Sequence, residues 1–347
     1  MKNTSTGKWA RLILTAAVLG LPSVASAELS FTSIVVFGTS VSDPGNGFTL
    51  LAHPLAGFNV ESRVRQHTPP FDTLDEDLTP AAPYAKGGHH FTNGATWIEQ
   101  FAQGRGLAAD VGAAFQSNGP KGRNYAVGGA RAINYPGRVN LPQQVQAFLN
   151  DVGHTPPPNA LYVIEIGNND IRDAVVKYYA VFGQTLDANQ AAIAANAVIT
   201  DAVYAIATNI QNLYALGARK FLILNAARID RLPAVTAMGP EVIGVAANLT
   251  NGFNQALAQN ILAPFDSLHG MQIAQLGVAG QMSAIFQSPG DFGLTNVMDP
   301  CLTPNKPPFT CQQPDNYFFW DVIHPTKAVH AIIAQEAAEV LASYANP

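Results

Sequence analysis

Charge is scarce in this sequence: Asp, Glu, Lys and Arg make up 12% of its 347 residues. The 24 acidic residues outnumber the 19 basic ones, giving a formal charge of −5. There is no basic stripe, which argues against a nucleic-acid partner. Cysteine is nearly absent, with Cys301 and Cys311 the only two. Beyond the N-terminus no apolar run reaches the roughly 18 residues of a membrane helix, so no transmembrane segment is expected. Several signature loops are missing. There is no Walker loop, no H-E-x-x-H and no G-x-G-x-x-G after a strand. No cofactor and no catalytic metal are therefore expected. No G-x-S-x-G surrounds any serine, which disfavours the α/β-hydrolase fold. No repeat or low-complexity linker divides the chain.

What is present is a large apolar fraction, 48%, with 29 glycines and 24 prolines. That supports a sizeable core threaded by many turns rather than a helix bundle or a disordered chain. Residues 1–27 read as a secretory signal. Lys2, Lys8 and Arg11 form a positive start, Leu12 to Leu21 a short apolar run, and Ala25-Ser26-Ala27 a small-x-small cleavage site. The segment holds three basic residues and no acidic one, so its loss takes the formal charge from −5 to −8. The remaining chain, 28–347, reads as one soluble, monomeric domain, secreted or periplasmic. Export makes a disulfide the first expectation for Cys301 and Cys311. The alternatives are two free thiols or a metal pair, and two cysteines without nearby histidines make a poor zinc site.

Hydrophobic periodicity predicts alternating strands and helices. Strands are expected at Ser33 to Gly38, Arg123 to Val127, Leu161 to Ile166, Lys220 to Leu224 and Met271 to Leu276. Helices are expected at Gly94 to Ala102, Leu141 to Leu149, Asp187 to Leu216, Pro240 to Leu262 and Thr326 to Tyr344. Residues 48–90 read as a long irregular stretch whose histidines, His53, His67, His89 and His90, have no ligand spacing. The alternation implies an α/β fold, with a mostly parallel sheet covered by helices on both faces.

Four polar clusters fall after expected strands or just before a helix: Gly38-Thr39-Ser40, Gly128-Gly129, Gly167-Asn168-Asn169-Asp170, and Asp321-Val322-Ile323-His324-Pro325. A parallel sheet gathers such points at one edge. Together they suit acyl transfer. Ser40 would be the nucleophile, activated by a base that takes its proton. His324 suits that role because histidine is the common general base near neutral pH. Asp321, three residues earlier, could fix the imidazole tautomer. The Ser40 and Gly129 backbone N–H groups and the Asn169 amide could serve an oxyanion. Each cluster alone has a plainer reading: a strand-end turn, a glycine turn, a helix cap, or a surface pair. His330 reads as a structural or exposed histidine.

In order, these clusters resemble the four blocks of the GDSL esterases and lipases, also called SGNH hydrolases. Gly38 to Asn46 looks like the nucleophile block, Asn124 to Ala130 the glycine block, Gly167 to Asp170 the asparagine block, and Asp321 to Thr326 the final block. Phe91 to Trp97 and Leu216 to Lys220 are similar to segments common in secreted bacterial members. The resemblance implies a flavodoxin-like three-layer α/β/α sandwich. It also implies Ser40, Asp321 and His324 as the triad and Ser40, Gly129 and Asn169 as the oxyanion hole. One residue departs from the family's pattern: Thr39 stands where an Asp is usual. A hydroxyl can accept one backbone hydrogen bond, so partial replacement is plausible. Activity is expected to survive, and Thr39→Asp should leave ester hydrolysis within about tenfold.

The leading expectation is hydrolysis of a small-molecule or lipid ester, with short or medium acyl chains mildly preferred. Transfer of the acyl group to an alcohol and a non-catalytic binding role on the same scaffold are the alternatives.

Overall fold

The computed structural model describes residues 29–52, 84–85, 89–116 and 121–344. The expected signal segment, the cleavage site and the loop histidines His53 and His67 lie outside the described residues.

Four strands form a parallel sheet in the order β1 (Ser33–Gly38), β2 (Ala160–Glu165), β3 (Lys220–Leu224) and β4 (Gln272–Leu276). β1, β2 and β3 are mostly apolar, because both faces are covered, while β4 carries the half-buried Gln272 and Gln275. Alternate side chains separate the two cores. Val35, Phe37, Tyr162, Ile164, Phe221, Ile223 and Ile273 point into one. Ile34, Val36, Leu161, Val163, Leu222, Leu224, Ala274 and Leu276 point into the other. This is the three-layer arrangement expected from the strand–helix alternation.

The first core is closed by α3 (Leu141–Asp151), α4 (Asn168–Thr185), α5 (Ala188–Ala215) and α6 (Pro240–Leu257). The second is closed by α2 (Trp97–Gly104), α7 (Val278–Gln287) and α8 (Lys327–Ala342). Ile199, Val203, Ile206, Ile210 and Leu213 of α5 are buried against the sheet, as their spacing predicts. By length and composition α5 is the one described helix that could cross a membrane. Its buried stripe serves the core, while Ile193 and Tyr204 are exposed.

Two expectations need correction. Residues 123–127 are not a regular strand. Asn124 makes isolated parallel bridges to Val36 and Ala113, and Tyr125 N–H donates to the Val36 carbonyl. Val36 N–H donates to the Arg123 carbonyl and Val127 N–H to the Gly38 carbonyl, but the Gly38 N–H that would continue the ladder donates to Gln144 instead. Asn124 Oδ1 accepts the Ala126 N–H, while Asn46 Nδ2 donates to the Asn124 and Ala126 carbonyls. Counted in the sheet, the segment lies on the free edge of β1 and completes the flavodoxin-like 2-1-3-4-5 order. Second, residues 46–52, partly within the stretch read as irregular, form helix α1 (Asn46–Ala52). Asp43 starts it by accepting the N–H groups of Gly45, Asn46 and Gly47.

The sequence pattern also left unassigned α7 and a small parallel pair, β5 (Asn296–Pro300) and β6 (Tyr317–Phe319). Beside that pair Cys301 and Cys311 form a disulfide. Cys301 N–H and Leu302 N–H donate to the Phe319 and Trp320 carbonyls, so the cross-linked loop flanks the strand that leads to Asp321.

Candidate active site

β1 ends at Gly38, and its partner in register on β2 is Glu165. A Cβ at Gly38 would lie 2.9 Å from the Glu165 carbonyl oxygen and 3.0 Å from Oε2. Glycine fits there because the Glu165 backbone carbonyl, and behind it the Glu165 side chain, occupy that space. Gln144, on the buried face of α3, clasps the same residue. It accepts the Gly38 N–H and donates to the Gly38 carbonyl, both at 2.9 Å. The chain then turns, leaving Ser40 half-buried at the sheet's carboxyl edge.

The last block comes to the same place. Asp321 follows β6 and is fully buried. Its Oδ1 accepts the Ile323 N–H at 2.8 Å and the His324 N–H at 2.6 Å, which curls the backbone into a tight turn. Its Oδ2 meets His324 Nδ1 at 2.8 Å. The other ring nitrogen, Nε2, lies 2.8 Å from Ser40 Oγ. Burial pushes the Asp321 carboxyl up, but the charge and hydrogen bonds of His324 outweigh it and hold the group below its ordinary value. With Asp321 ionised, Nδ1 carries the proton and Nε2 is left to accept from Ser40.

Asp43 couples the first turn to the glycine turn. Its Oδ2 accepts the Gly128 N–H at 2.7 Å, and burial pushes its carboxyl up to about 6 against four backbone donors. Gly128 is thus engaged. Among the described residues, neither the Ser40 N–H nor the Gly129 N–H has a protein acceptor. Gly129 takes φ +77°, and its carbonyl accepts from buried Arg131, which also pairs with Asp173. Asn169 Nδ2 donates to the Ala130 carbonyl at 2.9 Å, which sets α4 against this turn. Asp170 accepts the Ala132 N–H, and burial pushes its carboxyl up to about 7.

Ser40, Asn169 and His324 line one cavity of about 220 Å³; Gly129 is not among the residues that line it. Apart from this polar end, the walls are mostly apolar, including Val41, Leu232, Val235, Val278, Met282 and Phe318. Among the described residues no His, Cys, Asp or Glu group is arranged to hold a metal ion.

Sequence reasoning brought Ser40, His324, Asp321 and Asn169 to one place and missed several residues that hold them. Tyr84 donates its hydroxyl to Asp321 Oδ2. Gln144 and Glu165 flank Gly38. His330, left open as structural or exposed, is buried, and its Nδ1 accepts the Trp97 N–H. The available signals were a lone glutamine on an apolar helix face and a lone glutamate in an apolar strand.

The doubly covered parallel sheet and the polar cluster at its carboxyl edge define the class, an α/β/α protein with a hydrolase-type site. The family model described as GDSL-like lipase/acylhydrolase matches residues 34–337, and the chain belongs to that family. It is similar to two GDSL esterases/lipases of Arabidopsis thaliana, each 24% identical. The alignments cover 90% of this chain and 89% of one relative, and 93% of both chains for the other. A thermolabile hemolysin of Vibrio parahaemolyticus is 23% identical over 72% of this chain and 55% of its own length.

Proposed function

We propose that this hydrolase is an exported serine esterase or lipase that cleaves carboxylic esters through an acyl-Ser40 intermediate. The observation that carries the reading is the unbroken chain Ser40 Oγ to His324 Nε2 to His324 Nδ1 to Asp321, with 2.8 Å at each hydrogen bond, opening on an apolar cavity. Ser40 Oγ attacks the acyl carbon while Nε2 takes its proton. The imidazolium, held by Asp321, then passes that proton to the departing alkoxide. Water repeats the sequence on the acyl-enzyme and releases the acid. The negative oxygen of each tetrahedral intermediate is received by the Ser40 and Gly129 N–H groups and by Asn169 Nδ2. The disulfide accords with an oxidising compartment.

The apolar walls favour an aliphatic acyl group, short or medium in length, over a charged one. The same walls also favour an alcohol as competing acceptor. Product analysis with water and a long-chain alcohol in competition separates hydrolysis from transfer.

A fluorophosphonate probe tests the central claim. One adduct should form, on Ser40, and Ser40→Ala should abolish both labelling and turnover. Folded protein that takes no label, or a fully active Ser40→Ala variant, would sink the reading.

A further inference from the structure

Glu165 is a buried acid beside the catalytic turn that the mechanism above leaves unused. It ends β2, is 3% exposed, and pairs with no Lys or Arg among the described residues. An unpaired buried carboxylate is costly unless hydrogen bonds replace its water. Here those bonds come from the residues flanking Ser40. Thr39 N–H donates to Oε2 at 3.0 Å, and Thr39 Oγ1 lies 3.0 Å from both Oε1 and Oε2. Ser42 adds a side-chain hydrogen bond. Trp97 Nε1 in turn donates to Ser42 Oγ at 2.9 Å. Gly38, the residue before Thr39, lacks the Cβ that would collide with this carboxylate. One acid on β2 therefore grips the β1 turn on both sides of Ser40.

We propose that Glu165 is the positioning residue of the catalytic turn: its carboxylate, acting through Thr39 and Ser42, holds the Ser40 hydroxyl and backbone N–H in register with His324. The proposal rests on Ser40 being the nucleophile. Thr39 is then a donor to a carboxylate on the neighbouring strand, not an acceptor bracing its own turn. This reverses the expectation for Thr39→Asp. An aspartate at 39 would face Glu165 with a like charge and no donor between them. Burial pushes Glu165 up to about 7, and the Thr39 bonds pull the other way.

The hydrogen bond can be reversed rather than removed. In Glu165→Gln with Thr39→Asp, the amide at 165 becomes the donor and the carboxylate at 39 the acceptor. Glu165→Gln alone should lower kcat about 10- to 100-fold with KM within about twofold, the size of a lost charge-assisted hydrogen bond. Thr39→Asp alone should lose at least as much. The double variant should recover to within about fivefold of wild type, although independent effects would multiply. Thr39→Val, which keeps size and removes only the donor, repeats the test if Glu165→Gln fails to fold. Thermal melts and fluorophosphonate labelling accompany each kinetic measurement. Unchanged kcat in folded Glu165→Gln or Thr39→Val, or multiplicative losses in the double variant, would overturn the role of Glu165 while wild-type labelling at Ser40 still stood. Absence of labelling in wild type would overturn the nucleophile assignment instead.

Discussion

The Tyr84 hydroxyl donates to Asp321 Oδ2 at 2.8 Å, the same oxygen that faces His324 Nδ1. Tyr84 lies far from the last block in sequence, yet it shares the charge on which the imidazole depends. Burial and the neighbouring Asp321 push its own hydroxyl well above its ordinary value, so it stays a donor through the alkaline range. Tyr84→Phe removes one bond to a buried carboxylate, worth about 1.5 to 3 kcal/mol. The expected result is a kcat loss of about tenfold, with the acid limb of the pH–rate profile moved to higher pH. An unmoved acid limb would separate Tyr84 from the charge on Asp321.

Cavity shape should set chain-length preference. Val235 lines the cavity and is half-buried, so a larger side chain can enter without disrupting the core. Val235→Trp is expected to lower kcat/KM for medium-chain p-nitrophenyl esters at least about tenfold more than for the acetate. Equal losses across the series would place the acyl chain elsewhere.

His330 gives a pH signature of stability. Burial, then the charges of His324 and His90, push its ring down to about 3, against a small opposing effect of Glu99. A folded-state pKa below the unfolded value of 6.5 means that its contribution is complete above pH 6.5 and is lost as pH falls towards 3. Between pH 6.5 and 5 that loss is about 2 kcal/mol. His330→Gln retains an acceptor for the Trp97 N–H but cannot titrate. Urea unfolding at pH 7 and pH 5 should show a smaller difference for the variant than for wild type. Identical differences would exclude His330 as the source.

The disulfide should matter more for stability than for chemistry. Cys301 and Leu302 pack with Tyr84 and Trp320 beside the strand that leads to Asp321. Replacing both cysteines by alanine is expected to cost about 2 kcal/mol or more of unfolding free energy. The remaining folded enzyme should keep kcat within about threefold, because the bonds at Asp321 Oδ1 come from its own turn. A kcat collapse in still-folded protein would show that the loop sets the position of Asp321.

The parts legible in the sequence are those whose signal is local. β1, β2 and β3 read as apolar runs because both sheet faces are covered, and α5 shows its buried stripe by spacing alone. Ser40, Asn169, Asp321 and His324 stand out because each polar cluster interrupts an apolar pattern at a strand end. Residues whose purpose lies across the sheet stayed hidden. Glu165 sits inside Leu161-Tyr162-Val163-Ile164-Glu165-Ile166, where pattern reading registers only a strand. Its partners, Thr39 and Ser42, lie more than a hundred residues earlier. Gln144 is flanked by Gln143 and Gln146 on the same helix, and nothing local shows that it alone is buried and holds Gly38. The 123–127 segment falls short of a regular strand because the Gly38 N–H that would extend its ladder with β1 is taken by Gln144.

Asp43 joins the Ser40 turn, the first turn of α1 and Gly128 through four backbone hydrogen bonds. Part of the cavity wall comes from elsewhere, from 229–242 and 278–282. Some of the residues that would recognise a substrate are thus carried on segments separate from those that would transform it. A library confined to those wall segments could retune which ester is accepted while the reacting groups keep their geometry. The fold therefore offers a specificity cassette mounted on a fixed chemical frame.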